Sequence, residues 1–334
     1  MILATGLLPA ALPSGVKAQG ERSVVPIREV VIQPIGTPRY VITLVVNGVP
    51  MEAGLDTGSV GLRLLPRAAD RANVRASGPG YAYGYGSGVV LRGPDVQANV
   101  RIGKSEQGIT LQAVRSAGCR DGGNRCPAGK LTPQHYGLMG SGQPGRGFPA
   151  ILGIRLESGQ SVNPLTALGV QRWIVHLPAR GSGGGALIFN PDARDMAGFV
   201  PLRTGVDRSG TVAGCLMVAR PDARQICGPT LWDTGAPGIA VKNAAAPPAW
   251  QAGVAAEMRF VTSDGSRYPR IAFRAGDRNH GGHADFARAP QRAGLYVSAG
   301  TLPFYAYDML YDAVSGTMAI RPNTAQRGLP RAIR

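Results

Sequence analysis

The segment GPTLWDTGAPGIAV (228–241) runs apolar up to Trp232 and then sets a carboxylate, Asp233, ahead of Thr-Gly. A lone Asp in that position caps a turn. A second segment, PMEAGLDTGSVGLRLL (50–65), makes the same move at Asp56, about half a chain earlier. The settings match. A large apolar residue leads in (Leu55, Trp232), and a Gly with further apolar residues follows (Gly61-Leu62, Gly238-Ile239). Hairpin-like strand pairs precede both, over 40–55 and 213–232. Repetition of an acid-bearing turn argues for internal duplication, and so for two carboxyls serving one site.

Composition fits a strand-rich chain. With 334 residues it has room for one large domain or two lobes. The 48 Gly and 27 Pro are scattered, which implies frequent turns. Between them lie short Val/Ile/Leu runs such as YVITLVVNGVP, RWIVHLP and GGALIFNPD, an all-β pattern. No stretch reaches the ~18 apolar residues of a membrane span. The net charge of +16 comes mostly from dispersed Arg rather than from Lys/Arg runs, so a basic surface is expected and nucleic acid is not a partner.

Four cysteines form two local pairs, Cys119 with Cys126 and Cys215 with Cys227. Neither has zinc-finger spacing, so two short disulfide loops are expected, formed in an oxidising compartment. The stretch MILATGLLPAALPSGVKAQG (1–20) reads as an export segment, atypical or with its true start upstream, ending near the small-residue pattern Val16-Lys17-Ala18. The protein is therefore expected to be exported, periplasmic or secreted. His280 and His283 sit in a Gly-rich HGGH loop, and no metal or other cofactor is expected. The run GSGGGA (181–186) lacks the Lys-Ser/Thr ending of a phosphate loop and reads as a hairpin turn.

At this point the chain resembles the pepsin-like family of bilobal aspartic proteases, in order over most of 35–323. The first Asp segment and YAYGYGSG (81–88), similar to the active-site flap with Tyr83-Gly84, come first. They are followed by AILGI (150–154), then RWIVHLP…GGALIFNPD…FVPL (172–202). The second Asp segment and AGTLPFYAYDMLYDAVSGTMAIRP (299–322) complete the series. The resemblance implies an all-β fold of two related, barrel-like lobes with a central cleft. The N-terminal lobe would cover 21–170 and the C-terminal lobe 171–322, followed by a basic tail over 323–334, and the terminal stretch RPNTAQRGLPRAIR (321–334) is expected to be disordered as a basic chain end. The resemblance also implies a monomeric aspartic endopeptidase that takes an extended polypeptide under the flap. Asp56 and Asp233 would be catalytic, and Thr57, Gly58, Ser59, Thr234 and Gly235 would support their loops. The alternative is a pepsin-fold protein that binds or inhibits a partner without cutting it.

The chemistry explains the pairing. Amide hydrolysis needs a base to activate water and an acid to polarise the carbonyl and protonate the amine. Two adjacent carboxyls sharing one proton supply both. Two departures bear on this. Ala236 stands where many family members carry a hydroxyl that steadies the second carboxylate. Arg63 stands where the family often has Trp beside the flap Tyr. An Arg facing the pair would stabilise both carboxylates as charged, whereas one stacked on Tyr83 would not.

Overall fold

The computed structural model describes residues 20–156, 161–205, 210–220, 223–287, 294–325 and 331–332. The chain is mainly β, with a closed six-stranded barrel and further sheets. Around the barrel run Thr37–Val46, Val49–Asp56, Ala150–Ile154, Val60–Leu64, Ser105–Ala113 and Asp95–Ile102. Pairing of Val45 with Arg101 closes it. Ala150–Ile154 (AILGI) is buried throughout, because a barrel strand covered on both faces has no solvent side to alternate with.

The strand Ser23–Ile32 extends this sheet outward. Its second half pairs with Thr37–Val41, and its first half pairs with Gly185–Phe189. Arg172–His176, Tyr307–Asp312, Thr317–Pro322 and Val200–Pro201 continue from there. A separate eight-stranded sheet holds Val212–Val218, Ile226–Trp232, Ile239–Lys242 and Tyr296–Gly300 near its centre. A third sheet of three strands comprises Tyr81–Gly84, Val89–Gly93 and Ser116–Cys119. Residues 181–184 of GSGGGA lie in the connection between two paired strands, Arg172–His176 and Gly185–Phe189, and Gly185-Ala186 open the second strand.

The duplication seen in the sequence recurs in the pairing. Ala150–Ile154 runs parallel to the strand ending at Asp56 and antiparallel to Val60–Leu64. Tyr296–Gly300 runs parallel to the strand ending at Trp232 and antiparallel to Ile239–Lys242. Each Asp thus leaves its strand at the mouth of the same three-strand arrangement.

Aromatic packing fixes the second arrangement. The fully buried Trp232 ring sits 4.9 Å from Phe260, 5.5 Å from Phe304 and 6.3 Å from Tyr307, centroid to centroid. Burial of such a side chain contributes about 1.5–3 kcal/mol. Trp173 stacks on Tyr311 at 5.5 Å. Both expected disulfides are present, Cys119–Cys126 and Cys215–Cys227. Among the described residues no helix is long and apolar enough to cross a membrane.

The expectation of disorder over 321–334 is corrected at 321–325 and 331–332, and the rest of that stretch lies outside the described residues. Asn323 is buried, and its Nδ2 donates to Leu177 O at 3.1 Å and Phe304 O at 3.3 Å. Arg331–Ala332 pairs with Arg270–Ile271. A polar side chain that satisfies two buried carbonyls anchors the start of the segment, a pairing that composition does not reveal. The export segment falls almost wholly outside the described residues.

Candidate active site

Asp56 and Asp233 meet. Both are on the floor of a cleft of about 720 Å³, lined also by Tyr83, Gly84, Met139 and Ser298. The two carboxyls converge on one point, where a Cβ added to Gly235 would lie 2.7 Å from Asp56 Oδ1 and 3.0 Å from Asp233 Oδ1, and Asp233 is held well above the usual carboxylate range. Burial is the main cause, followed by the negative charge of Asp56 and the hydrogen bond to it. Like charges this close cannot both ionise easily, so the pair retains a proton where isolated acids would have lost it.

The loops are cross-braced with near two-fold symmetry. Thr57 N donates to Thr234 Oγ1 and Thr234 N to Thr57 Oγ1, both at 3.0 Å. Each hydroxyl then donates to the opposite strand's last carbonyls. Thr57 Oγ1 reaches Trp232 O at 2.8 Å, and Thr234 Oγ1 reaches Leu55 O at 2.7 Å. All these groups are buried, so no water competes for them. The Thr of each Asp-Thr-Gly is therefore a bolt between the loops.

The Gly in each tripeptide has an equally specific reason. A Cβ on Gly58 would lie 2.3 Å from Asp233 Cγ, and one on Gly235 would lie 2.7 Å from Asp56 Oδ1. Close approach of the opposite carboxyl, rather than a positive φ, excludes any side chain there. The backbone N–H groups of these glycines donate to the inner oxygens, Gly58 N to Asp56 Oδ1 and Gly235 N to Asp233 Oδ1, each at 2.8 Å. Ser59 Oγ donates to Asp56 Oδ2 at 2.6 Å. Ala236 offers Asp233 nothing equivalent. Ser298, on the neighbouring strand, approaches Asp233 Oδ2 at 3.4 Å.

Arg63 turns away from the pair. Its guanidinium is fully buried with Cζ 3.4 Å from the Tyr83 ring centroid, a cation–π stack. Nη2 donates to Val60 O at 2.7 Å and to Ser161 Oγ at 3.2 Å, and Nη1 to Gly61 O at 3.2 Å. Tyr83 OH accepts from Val60 N at 3.3 Å. Tyr83 thus rests on a cationic platform beside the first loop, in the first strand of a hairpin (Tyr81–Gly84 with Val89–Gly93) that lines the cleft. The Cys119–Cys126 disulfide secures the third strand of that small sheet.

Two contributors were not identified from the sequence. Ser298 lies in YVSAG, where a lone Ser carries no signal. Arg39 lies in TPRYVITL, whose letters read only as a short strand, and its side chain is buried and lines the cleft. Its bonds reach three separate points: Nε to Met139 O at 2.9 Å, Nη1 to Gly235 O at 2.7 Å, and Nη2 to Ser141 Oγ at 3.0 Å. Of the histidines, His280 pairs with Asp277 at 2.8 Å, and His283 lines the cleft. His283 is held below its ordinary pKa, chiefly by burial. No cluster of three or more metal-ligating side chains occurs among the described residues.

No protein-family model matches the chain, and no curated protein sequence matches it closely enough to count as a relative.

Proposed function

We propose that the protein is an aspartic endopeptidase with a bilobal pepsin-like fold, acting outside the cytoplasm. One observation carries the reading: two carboxyls from equivalent loops converge on one point on the floor of a cleft, where burial and the charge of Asp56 push the Asp233 acid well above the ordinary carboxylate range. The alignment of strand pairings around the two loops supports the fold, and the two disulfides are compatible with the location.

The chemistry follows from that shared proton. A water held between the carboxyls gives a proton to the ionised oxygen as its own oxygen attacks the peptide carbonyl. The protonated carboxyl donates to the carbonyl oxygen, so the tetrahedral adduct forms neutral. Proton return to the nitrogen then lets the C–N bond break, yielding an acid and an amine. The two titrations belong to the pair as a unit. The hairpin carrying Tyr83-Gly84 is the flap in this reading. An extended substrate would lie beneath it, paired through its backbone, with side chains in the cleft.

The test is incubation with an unfolded protein between about pH 3 and 6. Fragments that disappear in Asp56→Asn and Asp233→Asn, and on adding a statine-containing peptide, are the expected result. Absence of cleavage at every pH, with tight capture of the polypeptide, would replace the protease with a binding or inhibitory protein on the same scaffold.

A further inference from the structure

We propose that Arg39 is a positioning residue for the Asp56–Asp233 pair, holding the second loop and the adjacent cleft wall in place while supplying the pair's positive counter-charge. The inference rests on these two carboxyls being the working groups.

The geometry is specific. The guanidinium spans from a barrel strand to Gly235 O, the carbonyl of the residue whose N–H donates to Asp233. Its other two bonds hold Met139 O and Ser141 Oγ. Met139 and Ser141 both adopt left-handed backbone, φ 60° and 55°, which non-glycine residues rarely do without external support. The fork of a single guanidinium fixes the strained wall and the second Asp loop to one point. A lysine would reach fewer of these acceptors.

The charge has no close counter-ion. No ion pair with Arg39 occurs among the described residues, although the side chain is buried. A buried cation costs several kcal/mol unless compensated, and the negative charge acting on Arg39 comes first from Asp233 and then from Asp56. Burial still brings the Arg39 pKa down, to about 10, so it remains charged across the working range. In return Arg39 opposes the upward push on Asp233. The other groups facing the pair are neutral there. They are the hydroxyls of Ser59 and Ser298, and the phenols of Tyr85 and Tyr311, which burial pushes up. Tyr305, which faces Arg39, is likewise pushed up by burial. Arg63 is engaged with Tyr83. Arg120, Arg155, Lys242, His283 and Asp285 line the same cleft. Among the described residues the leading charge effects on Asp233 are those of Asp56 and Arg39.

The experiment is carboxyl ¹³C NMR of the full chain, with the Asp233 resonance assigned by its loss in Asp233→Asn. Arg39→Gln is expected to raise the Asp233 midpoint by about 1 pH unit, and the alkaline limb of any cleavage profile with it. Arg39→Lys is expected to leave the midpoint nearly in place and to lower turnover about tenfold through lost positioning. An unmoved midpoint in Arg39→Gln, or an equal rise in Arg39→Lys, overturns the counter-charge role. If Arg39→Gln does not fold, the wild-type Arg39 guanidinium ¹⁵N signals decide. A shift sharing Asp233's midpoint supports the assignment, and insensitivity to it refutes the assignment. A raised midpoint in a chain that never cleaves peptide would leave Arg39's role standing while the protease reading fell.

Discussion

Asp56 and Asp233 leave equivalent strands through loops of the same tripeptide, and the crossed Thr57–Thr234 bonds treat the two alike. Their outer oxygens are treated differently. Asp56 Oδ2 has a short bond from Ser59, whereas among the described hydroxyls Asp233 Oδ2 has the distant Ser298. A hydroxyl donor favours a charged carboxylate, and its absence leaves burial to favour the neutral acid. The symmetric scaffold brings the acids together, and the unequal dressing decides where the shared proton rests. Arg39, bonded to the second loop's carbonyl, works against that inequality by favouring charge on Asp233.

The comparison can be broken most directly by removing either acid. Asp56→Asn and Asp233→Asn are each expected to cut peptide turnover about 10²–10⁴-fold, measured on an unfolded substrate at acidic pH. A variant that kept its rate would show that the two loops do not form one site. Next in size is the brace. Thr57→Val removes a hydroxyl that both accepts and donates in a buried setting, depriving Thr234 N and Trp232 O of these bonds. Denaturant unfolding should show a loss of about 2–4 kcal/mol.

The proton's location can be read from stability. Asp233's folded pKa lies above its unfolded value, so the native state keeps the proton longer. Its contribution is fully present below the ordinary carboxylate range and is lost as pH rises toward the raised value. The Tm of Asp233→Asn should match wild type near pH 3 and exceed it increasingly toward neutrality. The reverse slope would assign the proton elsewhere. Smaller still, Ala236→Ser should partly restore symmetry and lower the alkaline limb by about half a pH unit. Ser298→Ala, at a 3.4 Å contact, should move that limb by no more than about 0.2 units.

The paired acids with their Thr and Gly neighbours, both disulfides and the strand-rich architecture were legible because each depends on local residue chemistry that recurs or pairs along the chain, whereas Tyr83 was reached through the family resemblance alone. The direction of Arg63 was posed by the sequence and answered only by packing. Either orientation suits a strand residue, and the carbonyls of Val60 and Gly61 that hold it are invisible in side-chain letters. Arg39 was missed for a related reason. Its acceptors lie about a hundred and two hundred positions away, and strand alternation says nothing about a strand buried on both faces. Ser298 was missed because one hydroxyl in an apolar strand carries no spacing signal. The buried anchor at Asn323 lay in a segment whose composition alone suggested a free end.

The strand Ser23–Ile32 belongs to two neighbourhoods at once, zipped over one half to Thr37–Val41 and over the other to Gly185–Phe189. Severing the polypeptide near residue 170 would therefore not release two self-sufficient pieces. The later fragment would lose the ribbon shielding Gly185–Phe189, and the earlier one would expose a bare flank of hydrogen-bonding groups, a template for unwanted pairing. Fragment complementation should consequently demand both pieces together, with neither soluble by itself.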